Sequence, residues 1–239
     1  MTPDYNYNDQ YLRPSGPQDI AATVTSTMKK VYVKMTLGLI VTGLVAWFCA
    51  NSLGYRHFLA VNSWFMWVLI FGEFGLVIAI NGAINRLSSG VASLLFYAFA
   101  VVNGLMFSTI FLAYSTTAIA KTFFITAGTF GAMSIYGYCT RSDLSRFGSF
   151  LFMALIGLII ACVVNVFLRS SGLDWVISIA GVFIFVGLTA WDTQQVKQMA
   201  MLTPAEYRSK LATVGALTLY LDFINLFLFL LRFFGGNRD

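Results

Sequence analysis

Long runs of predominantly apolar residues govern what this chain can fold into. They fall at about Met35–Ala50, Val61–Ile80, Val91–Tyr114, Thr122–Tyr138, Ser149–Phe167, Trp175–Thr193 and Leu211–Phe234. A membrane-spanning helix needs about 20 predominantly apolar residues, so these runs predict seven spans. They are apolar on every face and lack the two-residue alternation of barrel strands. A soluble bundle fails as well, because each of its helices would need a polar stripe. Only 10% of the residues are charged, against about 25% in soluble domains. The expected fold is an all-α integral membrane protein with seven transmembrane helices over residues 25–239. A polar tail, residues 1–24, precedes it and is expected to be disordered.

Sidedness follows from the basic residues. With the N-terminus in the cytoplasm, ten Lys and Arg fall in cytoplasmic segments and five on the opposite side. That excess predicts an N-in, C-out chain. The segment Met1–Ala21 has no apolar core of a signal peptide, so the first apolar helix is expected to act as the insertion signal. The net charge of +5 is scattered rather than gathered in a stripe, which argues against nucleic acid. The three cysteines, Cys49, Cys139 and Cys162, show no disulfide or zinc spacing and are expected to pack as small apolar residues.

Three acids interrupt the apolar runs: Glu73, Asp192 and Asp222. A charge at a bilayer centre costs roughly 2.5 kcal/mol or more, so intramembrane acids default to function. Counting from the loop near Pro204, Asp192 and Asp222 each lie about 14–17 Å into their helices at 1.5 Å per residue. Antiparallel neighbours would bring them to a similar depth, where suitable rotation lets them meet. Two carboxylates in low dielectric cannot both ionise cheaply, so such a pair shares a proton or holds a cation. Their hard oxygens suit a transient, hydrated calcium ion. The structural alternative pairs Asp192 with Lys197 or Arg86, and Asp222 with neighbouring Ser or Thr hydroxyls. Glu73 lies mid-span between Gly72 and Gly75, where small residues permit close helix approach, and the pair Gly157 and Ala161 in the fifth span reads the same way.

Enzyme chemistry finds no support. His57 is the single histidine, so neither a histidine-bound zinc site nor a histidine-activated nucleophile can be built deep in the membrane. No cofactor is expected. Gln194 and Gln195 add polar character beside Asp192. The segment Leu87–Phe96 weakly echoes Leu144–Phe152, as repeat-built transporters do.

The stretch Leu219-Tyr-Leu-Asp-Phe-Ile-Asn-Leu-Phe-Leu-Phe-Leu-Leu-Arg-Phe-Phe-Gly235 resembles the final-helix signature of the Bax inhibitor-1 family. Thr140-Arg-Ser-Asp-Leu-Ser145, Val164-Asn165, and Asp192 with Gln195 support the likeness, which spans about Thr25 to Gly235. The resemblance implies a last helix at the centre, wrapped by the other six. It also implies a pH-sensitive calcium leak, with calcium as the permeant ion. In bacterial members an aspartate pair in the last two helices senses pH and gates the pore, matched here by Asp192 and Asp222. Glu73 matches a second-helix acid of the ion pathway. A latching arginine is matched only by the displaced Arg86. The short C-terminus without a basic tail resembles the bacterial members, which sit in the inner membrane. Some bacterial relatives modulate a membrane-bound AAA+ protease, which offers an alternative role as its partner. A proton-coupled transporter would use the same acids as a relay.

Overall fold

A computed structural model describes residues 17–84 and 86–235. Nine helices are present among the described residues: α1 (Pro17–Asn51), α2 (Leu53–Val61), α3 (Trp64–Ala83), α4 (Ser89–Phe107), α5 (Ile110–Ala113), α6 (Thr116–Cys139), α7 (Ser145–Leu168), α8 (Ser171–Leu202) and α9 (Arg208–Phe234). Seven segments are long and apolar enough to cross a membrane, with α4 and α5 forming one of them. No strand occurs among the described residues. The expected all-α, seven-span architecture is therefore the observed one.

Serines start several of the helices. The hydroxyls of Ser52, Ser88, Ser115 and Ser170 accept the N–H groups of Tyr55, Val91, Ala118 and Leu173, satisfying donors that a helix start leaves open. The tight turn between α7 and α8 places Arg169 in the left-handed region, with φ 49°. Asn165 steadies that turn by accepting the Ser170 N–H at 3.1 Å.

Helix α9 is the most buried of the spans. Leu219, Tyr220 and Leu226 on it are fully buried. Its main packing partners are α1, α4, α6 and α8, whereas α3 packs chiefly on α4 and α7 chiefly on α8. Four of the other spans thus pack on it directly. Close approach depends on missing side chains at two places. A Cβ on Gly137 of α6 would overlap the Ala190 backbone of α8, and one on Gly215 of α9 would lie 2.9 Å from Val196.

Some sequence expectations need correction. Helix α1 begins at Pro17, inside the segment expected to be disordered, and buries Val24; residues 1–16 lie outside the described residues. Gly72, Gly75 and Gly157 meet no neighbouring atom within 4 Å of an added Cβ, so none of them seats a helix. His57 is exposed on the short helix α2. Cys139 is exposed rather than packed.

Candidate functional site

Asp222 is on α9 and only 4% exposed. Asp192 is half-buried on α8, the helix that packs most extensively on α9. The two carboxyls lie close enough to act on each other. Asp222 Oδ2 is buried, and no donor group of the protein reaches it. Ionised carboxylates only accept; a protonated one donates. A hydrogen bond between the two would therefore need a proton, as in an acid pair that shares one.

Polar but uncharged side chains lie close to Asp192 in sequence on α8. Thr189 and Thr193 are buried on α8; Thr189 donates to the Phe185 carbonyl at 2.7 Å, and Thr193 meets the Tyr32 hydroxyl at 3.5 Å. The structural alternatives are not formed. Lys197 points to α6, donating to the Tyr138 carbonyl at 2.6 Å and lying 4.9 Å from the centre of its ring. Arg86 is exposed in the turn after α3. Among the described residues the one ion pair is Arg232 with Asp174, at the far end of the bundle. The arginine latch suggested by the resemblance is thus not made by Arg86 here, and no Ser or Thr hydroxyl bonds Asp222.

Glu73 belongs to a different cluster. Its Oε1 accepts Asn103 Nδ2 at 2.8 Å, and Asn103 is 1% exposed. Phe99, one turn before Asn103 on α4, packs its ring 5.6 Å from that of Tyr220, whose hydroxyl bonds Thr42 at 2.7 Å. Tyr220 and Asp222 are two residues apart on one helix, about 200° around its axis. The acids proposed for one pathway therefore occupy opposite sides of α9.

Two polar residues take roles that the sequence did not assign them. Lys34, counted there as a topology signal, is half-buried and donates to Ser93 and Thr213, each at 2.6 Å. Gln194 pins the α6–α7 loop: its Oε1 accepts the Leu144 N–H at 2.9 Å and its Nε2 donates to the Ser142 carbonyl at 2.8 Å. In the same loop Asp143 accepts the Ser145 N–H at 2.9 Å. The Ser145 hydroxyl and N–H, with Arg146 nearby, hold the Asp143 carboxyl below the usual carboxylate range. The pattern that could have flagged Gln194 is a glutamine two residues beyond Asp192 on a helix that a loop must cross.

No group of three or more His, Cys, Asp or Glu that could hold a metal occurs among the described residues. Two carboxyls fall short of the 6–8 oxygens that calcium takes, so Asp192 and Asp222 alone make no calcium cage.

A family model described as inhibitor of apoptosis-promoting Bax1 matches residues 24–239. The chain belongs to the Bax inhibitor-1 family. It is 46% identical over 233 residues to the inner membrane protein YbhL of Escherichia coli (strain K12), covering 96% of this chain and 100% of that one. An uncharacterized protein of Borreliella burgdorferi is 45% identical over 214 residues, covering 89% of this chain and 92% of its own length. The uncharacterized protein RP147 of Rickettsia prowazekii is 44% identical over 213 residues, covering 89% and 90%. In this member of the Bax inhibitor-1 family, Gln194 and Asp143 both serve the Thr140–Ser145 segment that carried part of the resemblance. Both act by shaping the loop between α6 and α7, beside the acid pair's own helix.

Proposed function

We propose that this Bax inhibitor-1 family protein is a pH-sensitive calcium leak of the bacterial inner membrane, oriented N-in, with Asp192 and Asp222 as its gate. The observation that carries the reading is the buried contact between two carboxyls with no cation beside it. With one proton shared, the contact ties α8 to α9. Without that proton two like charges face each other in low dielectric. At about 4 Å and an effective dielectric constant of 20 their repulsion is about 4 kcal/mol. Separation of α8 from α9, with water or a hydrated cation entering, relieves it.

The sign follows from proton counting. The closed pair holds one more proton than the open one, so falling pH favours closure and rising pH favours conduction. None of the helices packed around the pair, α1, α4, α6, α8 and α9, carries a histidine. Glu73, on the other side of α9, supplies a carboxyl for the ion beyond the gate.

Calcium entry into dye-loaded vesicles, compared at two pH values, tests this. Asp192→Asn and Asp222→Asn should each flatten the pH profile. If both variants keep the wild-type rates and profile, the acid pair is not the gate.

A further inference from the structure

A crevice of about 720 Å³ opens between α1 and α6, within the range of about 300–1,000 Å³ typical of ligand sites. Met28 and Leu39 of α1 and Phe123 and Gly131 of α6 form its walls, and Phe223 of α9 lies at its base. Helices α1 and α6 both pack on α8 and α9 but are not among the substantially packed pairs themselves. The gap between them therefore faces outward from the bundle, where hydrocarbon surrounds a membrane protein.

One end of the crevice is basic. Lys29 lines it and is exposed, as is its neighbour Lys30. Thr25, one helical turn before Lys29 on the same face, lines it too. On the opposite wall, exposed Arg141 lies just beyond Cys139, which also lines the crevice. No acidic residue lines it. An apolar slot between membrane helices that ends in cations is the arrangement that takes an anionic lipid headgroup, with lysine stems lying along the apolar wall.

We propose that the α1–α6 crevice binds one acyl chain of an anionic phospholipid, with the lipid phosphate held at Lys29. The apolar walls accept any acyl chain, and the basic end selects for charge. The occupant rests on Phe223, next to Asp222 in sequence. The inference concerns binding alone and stands or falls independently of calcium flux.

Native mass spectrometry of the full chain, titrated with phosphatidylglycerol or with phosphatidylcholine of the same acyl chains, tests it. The wild type should retain phosphatidylglycerol several-fold better. Lys29→Gln should reduce that preference to near parity. Gly131→Phe should reduce retention of both lipids, because a Cβ there enters open space and the ring fills the slot without displacing a neighbour; a thermal melt confirms its fold. Equal retention of the two lipids by the wild type overturns the charged headgroup. Retention unchanged by Gly131→Phe overturns the crevice as the site. A rise in lipid retention on deleting residues 2–16 overturns lipid as the native occupant in favour of the chain's own N-terminal segment.

Discussion

Replacing Asp222 with asparagine removes the need for a shared proton while nearly preserving shape. On the proposed gate the folded pair holds one proton more than the separated carboxylates of the unfolded chain, whose ordinary values lie near 3.9. A state that binds one extra proton loses stability at about 1.4 kcal/mol per pH unit as pH rises. For a chain of this size about 1 kcal/mol moves the melting temperature by roughly 2–4 °C. The wild type should therefore melt roughly 3–6 °C lower for each pH unit over the interval in which the folded pair still holds its proton. The loss ends once the proton leaves, and the cost is limited to about 4 kcal/mol by the repulsion at about 4 Å. In Asp222→Asn the amide donates permanently to Asp192, a charge-assisted bond of about 1.5–3 kcal/mol, so the slope should largely disappear. Thermal unfolding in detergent from pH 5 to pH 8 measures both proteins. A slope in the variant equal to that of the wild type would refute proton sharing between these residues.

Other expectations follow from the same geometry. Gln194→Leu leaves the Leu144 N–H and the Ser142 carbonyl without their partner; it should cost about 1–3 kcal/mol and speed proteolysis within residues 140–144. Gly137→Leu forces a side chain into the Ala190 backbone and should cost more than the roughly 1–3 kcal/mol of ordinary overpacking, read as a lowered melting temperature or lost expression. Tyr220→Phe removes the bond to Thr42 for about 1 kcal/mol, yet should leave the pH profile of calcium flux intact, because that hydroxyl faces away from the pair. Asn103→Leu deprives Glu73 of its donor and should lower flux several-fold at every pH without changing the shape of the profile.

Hydropathy located the spans because the length of an apolar run is set by bilayer thickness. Depth counting also brought Asp192 and Asp222 to one level, since 1.5 Å per residue holds along any regular helix. Azimuth was not legible in this way. Glu73 and Asp222 look alike as mid-span acids, but only packing of α3 on α4 rather than on α9 shows that they serve different clusters. Lys34 reads as a helix-end charge until α1 is seen to begin at Pro17, which makes Lys34 an interior position bonded to Ser93 and Thr213. The glycines misled for a related reason. Gly72 and Gly157 look like packing notches, whereas the close approach occurs at Gly137, whose neighbouring residues carry no such signature.

Calcium entry into sealed vesicles carrying the wild-type chain, followed while pH is stepped from 6 to 8, tests the central claim most directly. Protein-dependent entry that accelerates at pH 8, reverses on return to pH 6 and is insensitive to the step in Asp222→Asn is the predicted result. Entry no faster than in protein-free vesicles, or equal at both pH values, would contradict it.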